Sequence, residues 1–261
     1  MVVLSHTLPE QRNSSEDGQS IDYDEVSLSY DEVRGADSQM VRILLDEAIL
    51  DRNSIVIDIG CGTANNTLIL QALISPRVVG IDLSLGMLRQ AHGKSDSIQC
   101  VHCPAEVLPF GKSVFDLAFM TEVIHHLTDY ALTLSEAHRV LRSNGRMCIV
   151  TQSHRQIEER MTSRFFPSTI AIDQARYPSI RHIEETLRST GFSDVCSSGH
   201  MFAPVRLGQD FLETVSNRGY SMLRLIDQSE FDEGLARLRD AISAQEDLSY
   251  SAGYSFIWAT K

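Results

Sequence analysis

The fold of this chain is decided by the stretch Val56-Ile57-Asp58-Ile59-Gly60-Cys61-Gly62-Thr63-Ala64-Asn65-Asn66. Its apolar run holds one acid, breaks at two glycines one residue apart, and then returns to residues that tolerate a helix. Glycine allows the backbone at Gly60 and Gly62 to take positive φ values and allows a ligand to approach the main chain closely. A helix that begins after them offers free N–H groups and the positive end of its dipole. The stretch therefore predicts a buried strand, a tight turn and a helix start, a corner suited to a nucleoside cofactor.

Strands alternate with helices along the chain outward from this turn. Apolar runs predict strands at 54–59, 77–81, 97–102, 115–120 and 146–151, a sixth strand entered by the turn at 191–195, and a last strand at 254–259. Amphipathic runs predict helices at 37–50, 66–73, 84–92 and 129–142, with Asp37 or Ser38 and Ser84 as caps and a glycine stop at 143–145. Strands that are apolar on both faces are typical of parallel sheets. The alternation predicts an α/β fold, a doubly wound, mostly parallel, seven-stranded sheet with right-handed crossovers.

The remaining segments differ from this core in composition. Residues 1–20 are polar and predict a flexible tail, and residues 21–50 predict a helix preceded by an acidic, tyrosine-containing stretch, either a solvated arm or a lid. The cofactor-binding core is predicted over 51–152. Residues 153–250 predict a cap of helical insertions around the sixth strand, and 251–261 the last strand. Such insertions would cover the carboxyl ends of the strands, where ligands bind in sheets of this kind.

Composition restricts the classes of partner. The chain has 261 residues, with 23 Lys and Arg against 35 Asp and Glu, so the formal charge is 23 − 35 = −12. This charge repels a polyanion, so no nucleic acid is expected. No apolar run approaches the ~20 residues of a membrane span, and the first residues lack the layout of a signal peptide. Five scattered cysteines fit a reducing compartment, so we expect a cytoplasmic protein. As its oligomeric state we expect a monomer or a homodimer. Cys100 and Cys103 have CxxC spacing without a second pair, so structural thiols are expected and no metal.

Three features at suitable spacing strengthen the interpretation of the glycine turn. Asp82 closes the second strand, 20 residues after Gly62, where a carboxylate can accept hydrogen bonds from both hydroxyls of a ribose. The loop 105–110 supplies an edge for a flat heterocycle, and 121–127 follows the fourth strand over the centre of the sheet. A dinucleotide site expects a third glycine where this chain has Asn65. Asp58 is either a hydrogen-bonded structural carboxylate or, as we favour, part of the cofactor site.

These motifs resemble those of class I S-adenosylmethionine-dependent methyltransferases, and are most similar to the small-molecule branch that includes the ubiquinone and menaquinone methyltransferases. The matching segments, in the family's order, are 56–63, 79–88, 105–110, 115–127 and 136–146. Pro104 stands where the family usually has an acid that contacts adenine, and Ser143-Asn144-Gly145 replaces the common Pro-Gly-Gly turn. The resemblance implies a Rossmann-like methyltransferase fold with S-adenosyl-L-methionine as cofactor. It also implies in-line methyl transfer to a small-molecule acceptor.

The resemblance further implies roles for individual residues. At the methionine and ribose end, these are Asp58, Gly60, Cys61, Gly62 and the carbonyl of Thr121, with Tyr30 and Arg34 in an N-terminal segment that closes over the cofactor. At the adenine end they are Asp82 on the ribose hydroxyls, Leu83 and Met87 packed on the ring, and the N–H of Ala105. Because Pro104 has no side-chain acceptor, the contact with the adenine amino group is either lost or moved to Glu106.

Candidate catalytic residues follow the fourth strand. Methyl transfer from a sulfonium depends mostly on positioning and desolvation, and a general base is needed only if the acceptor must lose a proton early. The candidates are Glu122, His125 and His126, with His126 slightly favoured, although one of the two histidines could be structural. His154, after the fifth strand, is a further candidate.

The acceptor pocket is expected from residues in 153–225. An aromatic wall of Phe165, Phe166, Tyr177, Met201 and Phe202 is one interpretation, and ordinary core is the favoured one. The near-helical spacing of Arg155, Arg160 and Arg164 indicates a solvated face paired with Glu158 and Glu159, or alternatively a clamp for a carboxylate-bearing acceptor.

Three other functions stay open at this point. An enzyme with the same cofactor could attack another carbon of the sulfonium or cyclise it. A non-catalytic binding module could keep the fold without turnover. An RNA methyltransferase is the third alternative, and the net charge of −12 opposes it.

Overall fold

A computed structural model of the chain describes residues 21–28, 30–33, 35–74 and 77–261. The tail expected over 1–20 and the expected cofactor contact Arg34 lie outside these described residues.

The central sheet has seven strands in the order β3-β2-β1-β4-β5-β9-β6. Their bounds are Ile55–Ile59 (β1), Arg77–Asp82 (β2), Gln99–His102 (β3), Phe115–Thr121 (β4), Leu141–Thr151 (β5), Ser193–Met201 (β6) and Gly253–Thr260 (β9). The first five strands pair in parallel, whereas β9 is antiparallel to both β5 and β6. The prediction of a doubly wound, mostly parallel, seven-stranded sheet is therefore confirmed.

Helices cover both faces of the sheet and form the cap. Before and between the first strands lie Tyr23–Val26 (α1), Tyr30–Val33 (α2), Ser38–Ala48 (α3), Asn65–Ile74 (α4), Leu85–Lys94 (α5) and Tyr130–Val140 (α6). After β5 follow His154–Glu158 (α7), Met161–Phe165 (α8), Ser168–Arg176 (α9), Ile180–Ser189 (α10), Gln209–Ser216 (α11) and Gln228–Ser243 (α12). Short 3₁₀ turns occupy Ile124–His126 and Ser221–Arg224. A small two-stranded sheet of Val205–Arg206 (β7) and Ser249–Tyr250 (β8) was not predicted, since two residues carry no periodicity.

Local sequence explains where these elements begin. The side chains of Asp37, Ser84 and Asp129 each accept a hydrogen bond from a backbone N–H three residues later, at the starts of α3, α5 and α6. β1 is buried along four of its five residues, and one apolar cluster lies on each face of the sheet. Placing the glycine turn at the carboxyl end of this central strand puts it where ligands bind in such sheets.

The junction between α6 and β5 differs from the prediction. The helix ends at Val140 instead of 142, the strand begins at Leu141 instead of 146, and the left-handed residue is Asn144, not Gly145. Leu141 already pairs with Phe115, and the register then shifts, which leaves the intervening residues as a bulge in the strand. Asn tolerates positive φ. Glycine is needed at position 145 because the backbone of Arg142 approaches it closely. A Cβ there would lie 2.8 Å from the carbonyl oxygen of Arg142.

The cap has an apolar cluster of its own. Most of its buried members come from α8, α11, α12 and the 3₁₀ turn Ser221–Arg224. The cluster includes Phe165, Leu223 and Leu238, together with Phe166 directly after α8. The two phenylalanines are thus core, as favoured from the sequence. Within the described ranges, no helix has both the length and the apolar composition to cross a membrane.

Candidate active site

The glycine turn joins β1 to α4 in the backbone conformation that the sequence predicted. Gly60 has φ of 73° and Gly62 has φ of 55°. The N–H groups of Gly60 and Cys61 both donate to the carbonyl oxygen of Ile81, at 2.8 and 2.9 Å. A Cβ on Gly60 would lie 2.5 Å from a methyl of Val123, whereas a Cβ on Gly62 would meet nothing within 4 Å. Gly60 is therefore required by packing and φ, and Gly62 by φ alone, with open space above it for a ligand.

Asp82 connects the end of β2 to this turn. One carboxylate oxygen accepts the N–H of Gly62 at 2.8 Å, and the other accepts the N–H of Ser84 at 2.8 Å. Burial raises the pKa of Asp82, and the backbone hydrogen bonds oppose that rise. Each carboxylate oxygen keeps a second lone pair. Asp82 can therefore accept further hydrogen bonds from a diol bound beside the turn.

Asp58 lies beneath the turn and is incompletely satisfied. It is 2% exposed, and its Oδ2 accepts a hydrogen bond from the hydroxyl of Thr67. Its Oδ1 is buried and has no hydrogen-bond partner among the described residues. Burial raises the pKa of Asp58 to about 7. A buried carboxylate in this state is stabilised by a cationic or donor group placed against it. The position thus fits the ammonium end of an amino-acid-like ligand.

A cleft of about 610 Å³ opens above the turn, here named the glycine-turn cleft. Its lining includes five of the predicted cofactor residues, namely Tyr30, Gly60, Cys61, Gly62 and Thr121, together with Asn66 and Glu122. Of the other predicted cofactor residues that the structure describes, none lines it.

The residues predicted for the adenine end lie at the carboxyl ends of β2 and β3. Leu83 is 69% exposed, so its side chain is available to a flat ligand, whereas Met87 is buried in α5. Ala105 and Glu106 are half-buried in the loop after β3. Their roles toward adenine stay predictions.

The acidic N-terminal segment folds against the cofactor loops. Asp24 accepts hydrogen bonds from the Ser84 hydroxyl at 2.5 Å and the Gly86 N–H at 2.8 Å. Asp31 accepts from the Thr63 hydroxyl at 2.6 Å and forms an ion pair with Lys94 at 2.6 Å. These contacts hold the segment against Thr63, Ser84, Gly86 and Lys94, and its role as a lid stays a prediction.

A second pocket of about 470 Å³ adjoins the first, here named the histidine pocket. Both pockets are lined by Tyr30 and Glu122, which therefore mark their junction. The histidine pocket is also lined by Tyr23, His125, His126, Tyr177, Ser221 and Arg224. All three predicted catalytic residues thus lie in one pocket.

The two histidines differ in their surroundings. Nε2 of His126 lies 3.0 Å from the hydroxyl of Tyr23, and Nδ1 lies 3.5 Å from a guanidinium nitrogen of Arg176. The ring of His125 stacks on Tyr177 with centroids 3.8 Å apart. The Tyr177 hydroxyl in turn donates to Glu122 Oε2 at 3.2 Å. His126 therefore presents a hydrogen-bonded pair to the pocket, whereas His125 packs into its wall.

The arginines of the cap depart from the predicted solvated face. Arg155 pairs with Glu159 and Arg164 with Glu246, both near the surface. Arg160 instead is buried and pairs with Asp173, which is 1% exposed and also pairs with Arg176. The helix breaks between Glu158 and Met161, so the three arginines do not share a face and form no clamp.

Several other candidates lie elsewhere. Nε2 of His154 is 2.8 Å from the carbonyl oxygen of Tyr177, and His154 lines neither pocket. Met201 is 56% exposed, and Phe202 packs on Tyr254. Of the proposed aromatic wall, only Tyr177 lines the histidine pocket. In the part of the chain that the structure describes, no group of three or more His, Cys, Asp or Glu side chains could hold a metal ion.

Sequence reasoning missed Tyr23, Arg176 and Arg224 as members of the site. The sequence feature that could have indicated Tyr23 is its position in an acidic stretch whose aromatic residues are unusual for a linker. No feature of the sequence pointed to Arg176 or Arg224, because only the folded cap brings them close to the histidines.

Comparisons with known proteins point to one family. Residues 57–149, from β1 into β5, match a family described as methyltransferase domain. The chain is 30% identical over 141 residues to the ubiquinone/menaquinone biosynthesis C-methyltransferase of Hahella chejuensis, covering 49% of this chain and 57% of that protein. It is 28% identical over 151 residues to the demethylmenaquinone methyltransferase of Staphylococcus epidermidis, covering 55% of this chain and 63% of that protein. The chain thus spans less than two thirds of either relative.

Solved structures share the whole fold. A protein of Anabaena variabilis, assigned as a methyltransferase of an antibiotic biosynthesis pathway, matches with a TM-score of 0.73 at 20% identity, covering 88% of this chain and all of that one. The Haemonchus contortus phosphoethanolamine N-methyltransferase 2, solved with S-adenosyl-L-methionine, matches with a TM-score of 0.60 at 19% identity, covering 93% of this chain and 60% of that one. At these identities the likeness shows the fold alone.

Proposed function

We propose that this chain transfers a methyl group from S-adenosyl-L-methionine to a small-molecule acceptor, because residues 57–149 match a methyltransferase domain and the motifs there resemble those of the class I S-adenosylmethionine-dependent enzymes. One observation carries the proposal. The glycine-turn cleft and the histidine pocket adjoin at Tyr30 and Glu122, so that one can hold a cofactor while the other holds an acceptor. In this proposal residues 21–50 act as a lid and 153–250 as a cap over the core of 51–152.

The residues present fit the cofactor. Asp58 supplies a buried carboxylate oxygen to the ammonium group, and Asp82 supplies carboxylate lone pairs to the ribose hydroxyls. The turn at Gly60, Cys61 and Gly62 supports the methionine and ribose, with the carbonyl of Thr121 beside it. Leu83 offers an exposed apolar face to adenine. When bound, S-adenosyl-L-methionine supplies an electrophilic methyl group on a sulfonium.

The histidine pocket supplies the proton chemistry. An acceptor hydroxyl or amine placed near the junction has Tyr23, His126 and Glu122 around it. His126 takes the released proton directly or through the hydroxyl of Tyr23, which lies 3.0 Å from Nε2. The hydroxyl of Tyr177 is hydrogen-bonded to Glu122, and its ring stacks on His125. Tyr177 thus holds Glu122 and His125 in the wall of the pocket.

Calorimetry with S-adenosylhomocysteine tests the proposal before any acceptor is known. The wild-type chain should bind it, and a chain without measurable binding would contradict the whole proposal. Product analysis then separates methyl transfer, which leaves S-adenosylhomocysteine, from attack on a carbon of the methionine chain, which leaves methylthioadenosine. The family match and the relatives' names favour methyl transfer over this alternative and over a binding module. Cytoplasmic location and a monomeric or homodimeric state stay part of the proposal, and size-exclusion chromatography tests the second.

A further inference from the structure

Arg224 is a charged residue of the histidine pocket that the proposed chemistry does not use. It ends the 3₁₀ turn Ser221–Arg224, is half-buried, and lines the pocket. Within the described ranges its guanidinium has no hydrogen bond or ion pair. A half-buried guanidinium is a strong donor with a fork of N–H groups that matches carboxylate or phosphate oxygens.

The other cap arginines show how unusual this is. Arg155, Arg160, Arg164 and Arg176 each pair with a carboxylate. Arg218 and Arg237 donate to backbone carbonyl oxygens. Arg224 thus differs from its neighbours in facing a pocket with its charge uncompensated.

The backbone that carries Arg224 is fixed. Met222 and Leu223, in the same turn, are 4% and 0% exposed, and Leu223 belongs to the apolar cluster of the cap. The guanidinium of Arg218 donates to the carbonyl oxygen of Leu223, immediately before Arg224. The guanidinium is therefore attached to a rigid turn and not to a mobile loop.

The cap side of the pocket is cationic as a whole. Asp173 lies between the guanidinium groups of Arg160 and Arg176, so this triad carries a net charge of +1, and Arg176 reaches His126. Arg224, which lines the pocket, and Arg176, which reaches His126 from behind it, thus place positive charge on the cap side in a chain whose formal charge is −12. The carboxylate of the pocket, Glu122, follows β4 on the opposite, core side and accepts from Tyr177.

We propose that the acceptor is a small anion whose carboxylate or phosphate group pairs with Arg224. Its hydroxyl or amine then lies toward Tyr23, His126 and the junction at Glu122. This inference rests on the proposed function, which supplies the cofactor in the neighbouring cleft. A cationic amine is the competing ligand, since tyrosine rings and a carboxylate suit a cation, but Arg224 would repel it.

The experiment compares two probes of nearly equal shape and opposite charge, benzoate and benzylamine, with inorganic phosphate as a third. Each is titrated by calorimetry into the full chain saturated with S-adenosylhomocysteine. We expect benzoate or phosphate to bind and benzylamine not to bind, and the stronger of the two anions distinguishes a carboxylate from a phosphate acceptor. Arg224→Gln should weaken anion binding at least about tenfold, because the substitution removes a charge-assisted hydrogen bond.

Two further variants control the result. Arg224→Lys keeps the charge without the fork, so it should retain part of the affinity. Arg164→Gln, which removes a surface arginine of the same cap outside the pocket, should leave anion affinity unchanged. S-adenosylhomocysteine should bind every variant as it binds the wild type, because Arg224 lies in the cap at the histidine pocket and belongs neither to the glycine turn nor to the loops after β2 and β3.

The two proposals fail differently. No binding of S-adenosylhomocysteine to the wild type overturns the proposed function itself. If S-adenosylhomocysteine binds, the inference alone is overturned by any of three outcomes: benzylamine binds in place of the anions, neither anion binds, or anion affinity is the same in Arg224→Gln.

Discussion

The hydroxyl of Tyr23 lies 3.0 Å from Nε2 of His126, although 103 positions separate the two residues in the chain. Tyr23 belongs to the lid helix α1, and the next residue, Asp24, is hydrogen-bonded to Ser84 and Gly86 at the start of α5. The lid therefore contributes a polar group to the histidine pocket while it rests on the loop after β2. In the proposed function, this arrangement would link proton transfer to closure of the N-terminal segment through two adjacent residues.

Tyr23→Phe should lower kcat by about a hundredfold if the hydroxyl relays a proton to His126. Affinity for S-adenosylhomocysteine should not change, since the Tyr23 hydroxyl contacts His126 and the substitution leaves the contacts of Asp24 with the start of α5 in place. Turnover is measured as S-adenosylhomocysteine release with a small acid that the wild type methylates. Tyr130→Phe is the matched control, because the buried Tyr130 hydroxyl has no hydrogen-bond partner in the described part of the chain. An unchanged kcat in Tyr23→Phe would remove Tyr23 from the proton path.

Asp82→Ala should weaken S-adenosylhomocysteine binding by roughly 1–3 kcal/mol, the value of hydrogen bonds to a charged group. The same change also removes the acceptor of the Gly62 N–H, which shapes the turn. Calorimetry measures the affinity, and Asp240→Asn on the exposed side of α12 is the control. Equal affinities in Asp82→Ala and the wild type would exclude Asp82 from the cofactor site.

Much of the fold was predictable because its determinants are local. The caps Asp37 and Ser84, the glycine turn, and the placement of Asp82 at the end of β2 each depend on residues within a few positions. The part of the site that directly follows the strands was also predictable. Glu122, His125 and His126, which follow β4, therefore lie together in one pocket as expected from the sequence.

The rest depends on contacts distant in sequence. The spacing of Arg155, Arg160 and Arg164 indicates one solvated face only if a single helix continues through them. The break between α7 and α8 instead leaves Arg160 buried, where Asp173 from α9 pairs with it. Local periodicity carries no information on such a pairing, nor on which cap residues line the histidine pocket.

Substitution of the two glycines of the turn should have graded effects on stability. Gly60→Ala meets both a positive φ and a methyl of Val123 at 2.5 Å, so it should lower the free energy of unfolding by roughly 2–5 kcal/mol. Gly62→Ala meets the φ penalty alone and should cost about 1 kcal/mol. Gly199→Ala, in β6 with open space and ordinary φ, should stay within about 0.5 kcal/mol. Urea denaturation measures all three, and equal losses at Gly60 and Gly62 would contradict the packing argument.

Stability without cofactor should depend on pH through Asp58. Its pKa in the folded chain is raised from 3.8 to about 7 by burial, so between these values the folded state binds more protons than the unfolded state. The contribution of this group to the free energy of unfolding is therefore present below pH 4 and is lost as the pH rises through about 7. Urea denaturation of the chain without cofactor should show this loss in the free energy of unfolding between pH 5 and pH 8. The Asp58→Asn variant should lack it.

Saturating S-adenosylhomocysteine should reduce this pH-dependent loss of stability, because its ammonium group stabilises the ionised carboxylate that Asp58 forms at the higher pH. Consistent with this linkage, its affinity should fall as the pH is lowered through 7, and Asp58→Asn should flatten that profile. A wild-type profile as flat as that of Asp58→Asn, with and without ligand, would mean that Asp58 is a structural carboxylate and does not face the cofactor.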